Sequence, residues 1–280
     1  MSKPEPSQER ELMKIARPPA APARAHANPR GGRLMRGMGC WMQSVRLKIF
    51  YRLLPSVSSF FRRRRMERFL KTTKIEPGTR VLDLGGSPTI WMHVGVPLDI
   101  TLLNLPGTSS GGEFELLQNP ALKHHTFHVV EGDACNAPEF GDGTFDLVFS
   151  NSVIEHVGAP DKQAQFAREV LRLGKSYWVQ TPSKWFPIEA HSGMPLYWFY
   201  PERMRAALLR NWAKRLPSWW VEYIATTRVL SRRRMAELFP DGVTLVEYFF
   251  GFPKSYVAHS RGASQQAPRP QKATALDSAA

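Results

Sequence analysis

Asp83 is followed by Gly85 and Gly86 at the end of an apolar run, Arg80 to Leu84. A carboxylate at such a position is costly to bury alone, so its expected partner is a ligand bearing a hydroxyl or an ammonium group. Two glycines after the strand permit positive φ and let a ligand approach the backbone. Asn104 ends a second apolar run, Ile100 to Asn104, about 20 residues further on, where a side chain can meet the hydroxyls of a ribose. Asp133 and Ala134 close a third, starting at Phe127, and Asn151 closes a fourth, starting at Phe145. His156 comes one short turn after Asn151, and its imidazole suits general-base work near neutral pH. A second reading makes it a structural histidine capping the next loop, with Glu155 as its exposed or salt-bridged neighbour. Glu189 and His191, further along, could orient a hydroxyl.

These groups need strands that end on one edge. The four runs read as buried parallel strands, and the carboxyl edge of a doubly wound α/β sheet is where such folds bind ligands. Pro160 or Asp161 opens a helix that puts Phe166, Val170 and Leu173 on one face and stops at Gly174. Ser176 to Thr181 is a fifth strand. A helix follows from Pro201 to Leu216, with Trp212, Trp219 and Trp220 near its end, and another from Ser231, its N-cap, to Phe239. Val243 to Phe250 and Lys254 to His259 form an antiparallel pair around Gly251. Between Trp185 and Pro201 lie six aromatics without helical period. They read either as a stiff loop over a cleft mouth or as packing against the sheet and the following helix.

The segments Val81–Gly86, Gly132–Ala134 and Gly143–Val157 resemble the class I S-adenosylmethionine-dependent methyltransferases. The likeness runs from about Glu76 to Ser260, and the stretch Trp185-Phe186-Pro187-Ile188-Glu189-Ala190-His191 resembles one branch of that family. The resemblance implies an α/β, Rossmann-like, doubly wound seven-stranded sheet, mostly parallel with an antiparallel last strand. It implies S-adenosyl-L-methionine as cofactor: Asp83, Gly85 and Gly86 at its methionine end, Asn104 at the ribose, Asp133 with Ala134 at the adenine, and Asn151 beside it. His156, Glu189 and His191 would then serve the methyl acceptor. Two features depart from the family pattern. Ser87 and Pro88 follow the glycine pair, and Pro88 offers no backbone donor. Asn104 stands where an acid is usual and has one good acceptor. A nicotinamide enzyme ranks below this because Gly-x-Gly-x-x-Gly, with its converging donors for a pyrophosphate, is absent.

The chain of 280 residues carries a net charge of +14, but the charge is not spread evenly. Residues 1–75 hold 18 Lys or Arg against 4 Glu, whereas residues 76–280 hold 20 basic and 20 acidic residues. A neutral body disfavours a polyphosphate groove, so nucleic acid is not the expected partner. Cys40 and Cys135 are too few and too separated for a metal site or a disulfide framework, and no metal is expected. The expected organisation is a disordered basic Pro/Ala/Gly-rich tail over 1–40, a basic amphipathic helical extension over 41–75, a methyltransferase domain over 76–260 and a flexible tail over 261–280. The extension either caps the body or, through residues 41–70, contacts an anionic membrane. Without a run of transmembrane length or a leader pattern, the expected location is cytoplasmic, with or without membrane association.

Together these observations predict methyl transfer to a small-molecule or lipid- or sugar-linked acceptor, at oxygen before carbon or nitrogen. A non-catalytic protein that keeps the fold, or an RNA methyltransferase, are the alternatives.

Overall fold

A computed structural model describes residues 59–107 and 117–260 of the chain. Five parallel strands, β1 (Arg80–Leu84), β2 (Asp99–Asn104), β3 (Thr126–Glu131), β4 (Phe145–Asn151) and β5 (Gly174–Pro182), join an antiparallel pair, β6 (Gly242–Phe249) and β7 (Phe252–Ser260). The sheet order is β3-β2-β1-β4-β5-β7-β6. Strand order therefore reverses between β1 and β4, and the crevice outside that switch point is the ligand position of an open α/β sheet. The expected seven strands, mostly parallel with an antiparallel end, are what the described residues form.

Alternation along the strands sorts the core into two layers. Leu82, Leu84 and Val148 point to one face, where they meet Phe166 and Val170 of helix α2 (Pro160–Leu173) and Met235 and Leu238 of helix α5 (Arg232–Leu238). Val81, Leu147 and Phe149 point to the other, where Trp91 and Trp178 fill the space with Met66 and Phe69 of helix α1, residues 59–72. Gly174 ends α2 and Ser231 caps α5 by accepting from the Arg234 N–H, as the sequence predicts.

Helix α1 closes one face of the sheet. Met66 and Phe69 are fully buried, and Phe69 meets Trp91, Phe149 and Trp178 edge to face. The arginine run is divided by this packing: Arg63 and Arg64 stay exposed, but Arg65 is buried and paired with Glu247 of β6 at 2.9 Å. The predicted extension ahead of residue 59 and the predicted tails lie outside the described residues. No described helix is long and apolar enough to cross a membrane.

After β5 the chain builds a small helical layer. The single helix predicted from Pro201 to Leu216 is instead two, α3 (Glu202–Ala213) and α4 (Ser218–Thr226), and Trp219 and Trp220 belong to the second. Pro217 separates them, because it lacks an N–H and pushes the preceding residue out of helical geometry. Met194, Tyr197, Trp212, Trp220 and Ile224 form a separate core there. The aromatic segment divides: Tyr197 is buried, whereas Trp185 and Phe199 are exposed with ring centroids 5.3 Å apart.

Candidate functional site

The carboxyl ends of β1, β2 and β3 are held side by side by backbone bonds. Gly85 N–H donates to Leu103 O at 2.9 Å, and Gly132 N–H donates to Asn104 O at 2.8 Å. Gly85 needs to be glycine on two counts: its φ is +67°, and a Cβ would stand 2.8 Å from Val153. Gly86 serves Asp83 directly, since a Cβ at Gly86 would lie 1.9 Å from the carboxylate.

Asp83 corrects part of the expectation. Its Oδ2 accepts from the Trp91 indole N–H at 2.8 Å, so one oxygen has a partner within the protein rather than a ligand. Its Oδ1 is buried without a hydrogen bond. Burial pushes the Asp83 carboxyl up to about 7, against the opposing effect of the Trp91 bond. Pro88 opens a short 3-10 turn, Pro88–His93, which carries Trp91 back to the acid. Asn104 donates from its side-chain amide to Gly86 O at 3.2 Å, leaving its amide oxygen to accept. Asp133 is exposed and accepts from the Cys135 N–H at 2.8 Å, with Ala134 half-buried between them. At the end of β4, the Asn151 amide oxygen accepts from Arg65 at 2.5 Å, so a residue expected beside the cofactor also anchors α1.

A second group of side chains lies beyond β4 and β5. Ser152 adopts a left-handed φ of 60° and is tied to Gln180 of β5 by both backbone and side chain. The bend turns the chain so that Glu155 is fully buried. This corrects the expectation of an exposed neighbour. Glu155 Oε2 accepts from Thr181 Oγ1 at 2.9 Å, and burial pushes the carboxyl up to about 7. Its Oε1 makes no hydrogen bond and lies 3.8 Å from His156 Nε2, which also makes none.

His156 stacks on Tyr223 at 4.2 Å between centroids and sits edge-on to His191 at 5.0 Å. Burial, with the charge of His191, pushes its pKa down to about 3, so the ring is neutral near pH 7. The loop after β5 brings in Glu189 and His191. Glu189 Oε1 accepts from His191 Nδ1 at 2.7 Å, while Oε2 accepts from the backbone N–H groups of His191 and Ser192. Burial alone would lower the His191 pKa, but the bond and charge of Glu189 raise it. The three expected acceptor-side residues, His156, Glu189 and His191, are thus neighbours.

Adjacent to them is a cleft of about 860 Å³ lined by Lys184, Tyr197, Trp198, Arg205, Thr227 and Arg228, among others. Thr227 both lines the cleft and meets His156 Nδ1 at 3.3 Å. The sequence reading missed Trp91, Arg65, Glu155 and Thr227 as parts of the site. Trp91 had a signal, the short Asp83-to-Trp91 spacing. The others come together only through tertiary contacts, 26 residues apart in sequence for Glu155 and Thr181, 86 for Arg65 and Asn151 and 71 for Thr227 and His156.

The family described as "Methyltransferase domain" matches residues 112–177. An uncharacterised protein of Mycobacterium tuberculosis, found in strains CDC 1551 / Oshkosh and ATCC 25618 / H37Rv, is 33% identical over 141 residues. That match covers 49% of this chain and 47% of the relative, so the chain spans about half the length of the curated relatives it matches. Among solved structures, a SAM-dependent methyltransferase from Aquifex aeolicus is 16% identical, covers 69% of this chain and 88% of its own, and has a TM-score of 0.43. A possible exported protein from Bordetella parapertussis is 12% identical, with 76% and 72% covered and a TM-score of 0.50. The sheet order and the switch point between β1 and β4 are those of a Rossmann-like doubly wound fold, and within it residues 112–177, through β3 and β4, are similar to the methyltransferase-domain family.

Proposed function

We propose that the protein transfers the methyl group of S-adenosylmethionine to an oxygen of a small-molecule or lipid- or sugar-linked acceptor. The observation that carries this is the alignment of Gly85, Gly86, Asn104 and Gly132 along one sheet edge at the switch point. Asp133 stands exposed just past it, free to accept from an adenine amine, and the Asn104 oxygen faces no competing donor from the glycine turn. The unpartnered Asp83 Oδ1 beside Gly86 fits a ligand that brings a donor to that turn. Asn151, fixed by Arg65, would border the same crevice.

The cofactor supplies an activated methyl, so the protein's share is to align the acceptor and to keep water out. The cleft beside Thr227 would receive the acceptor between aromatic walls, and its lining of Lys184, Arg205 and Arg228 favours one bearing negative charge. His191, oriented by Glu189, would stand at the acceptor oxygen and take its proton, whereas His156, kept neutral by burial and held by Thr227 and Tyr223, would position that ring rather than act as the base. The test is transfer of labelled methyl groups from the cofactor into an extract of cells lacking the gene. Label is expected in a ribonuclease-resistant, low-molecular-weight or lipid fraction, and should fall at least tenfold with His191→Gln. Cofactor binding without label would support the non-catalytic alternative, and ribonuclease-sensitive label the RNA one.

A further inference from the structure

We propose that the tip of the β6–β7 hairpin, with the start of α1, docks on an anionic membrane surface. Phe250 and Gly251 alone join β6 to β7, and both have positive φ, 48° and 80°. A two-residue hairpin turn of this kind favours Asn followed by Gly, and a bulky side chain in left-handed geometry is strained. Phe250 is nonetheless 85% exposed. Neither the turn nor the core calls for a phenyl ring there, so its use lies in a contact beyond the fold. The ring does not stand alone. Phe60 and Phe61 of α1 meet edge to face at 5.3 Å, Phe61 meets Phe249 at 4.8 Å, and Phe249 meets Phe250 at 4.4 Å. Phe60, Tyr248 and Phe252 are each half exposed or more, so α1 and the hairpin present one aromatic patch.

Cations flank the rings. Phe61, Arg64, Arg68, Glu247, Tyr248 and Lys254 line one shallow depression. Glu247 is already paired with Arg65, and Glu67 with Arg63; among the described residues Arg64, Arg68 and Lys254 form no ion pair. Lys254 lies over the Phe61 ring at 4.0 Å, and burial and the charge of Arg65 push its ammonium down to about 8. An anionic headgroup would relieve that cost. Exposed rings beside unpaired cations suit the headgroup layer of an anionic bilayer, and a projecting tip offers no groove for a nucleic-acid strand to follow. The tip also stands on the working edge of the sheet. β5 ends at Pro182, paired with Ser255 of β7, so Phe252 and the turn before it lie beyond the carboxyl ends of the parallel strands. Phe186 of the loop after β5 meets Phe249 at 6.3 Å, and Lys184 of that loop lines the cleft. A bilayer at the tip lies beside the cleft, and under the proposed function this selects a lipid-linked acceptor over a soluble one.

Docking is read without cofactor or acceptor, so its failure and the failure of the proposed methyl transfer are separable. The experiment sediments the full chain with vesicles of phosphatidylcholine, alone or mixed with phosphatidylglycerol. Affinity for the mixed vesicles is expected to be about tenfold higher or more, and to fall with added salt. Phe250→Ser removes only an exposed ring and should weaken binding by about tenfold or more. Arg64→Gln should weaken it about fivefold, whereas Val243→Ser, at the other end of β6, should leave it unchanged. In Phe250→Trp, quenching of fluorescence by brominated acyl chains should rise above the wild-type level. Equal affinity in a folded Phe250→Ser protein would assign binding to basic residues elsewhere in the chain and overturn the proposal. Absence of binding to either vesicle would overturn it as well. So would a dimer, seen by light scattering, that Phe250→Ser dissolves, since a second copy would then be the occupant.

Discussion

The edge formed by β1–β3 and the group beyond β4 and β5 each hold one fully buried acid, Asp83 and Glu155, with a pKa pushed up to about 7. They are built differently. Asp83 is settled locally: Trp91 is eight residues away, and the adjoining Gly86 makes the room. Glu155 is settled mostly at long range, by Thr181 of β5, by the backbone N–H of Arg228 and by His191 of the loop after β5, beside its chain neighbour His156. The first arrangement can be shared by many proteins of one fold, because a strand and a turn suffice to make it. The second depends on the helical layer that this chain builds after β5, so under the proposed function the acceptor chemistry belongs to that layer.

The largest effect is expected at Arg65, which fastens α1 to the sheet that carries both regions. It is bonded to Asn151 at the end of β4 and paired with Glu247, with Ser255 also donating to Glu247. Arg65→Met should cost about 3–5 kcal/mol in denaturant unfolding, because it leaves a buried carboxylate without its partner. A smaller loss would mean that Glu247 finds compensation and that α1 is not fastened through this pair.

This difference in construction also explains what could be read from the sequence. The strands were legible because each run, such as Arg80 to Leu84, is apolar and ends in turn residues. The caps at Gly174 and Ser231 were legible for the same local reason. Asp83, Gly85, Gly86, Asn104 and Asp133 followed from strand ends. Glu155 was not legible as a buried group, because its burial depends on the left-handed turn at Ser152, a non-glycine residue that gives no sign of positive φ. The break between α3 and α4 could have been read from Pro217. Arg65 could not, since nothing in a run of four arginines marks which of them turns inward.

Gly86→Ala sharpens the comparison at the β1–β3 edge. The added methyl collides with the Asp83 carboxylate, and overpacking of this kind costs about 1–3 kcal/mol. Cofactor affinity should fall with it, while the pH titration of the His191 ring at the other site, followed by NMR, stays unchanged. A change in both together would show that the two regions are one cooperative unit.

A pH series separates the acid at that edge from its surroundings. In the unfolded chain Asp83 ionises near its ordinary value, 3.8, but in the fold only near 7. Its protonated form therefore favours the fold at low pH, and that advantage is lost as pH rises from about 4 to 7. Asp83→Asn keeps an acceptor for Trp91 and has nothing to ionise. Relative to wild type it should gain stability across that window, measured by denaturant midpoints without cofactor. Parallel midpoints would show that Asp83 ionises normally.

Asp133→Ala should have the smallest effect on stability, below about 1 kcal/mol, because the bond it makes to the Cys135 N–H is exposed on one side. It is therefore the cleanest probe of the binding edge. The most direct measurement is calorimetric titration of the full chain and of Asp133→Ala with S-adenosylmethionine. One cofactor per chain, bound at least tenfold more weakly by a folded Asp133→Ala protein, is the predicted result. No binding by the wild type, or equal binding by both, would contradict the placement of adenosine at the carboxyl ends of β1, β2 and β3.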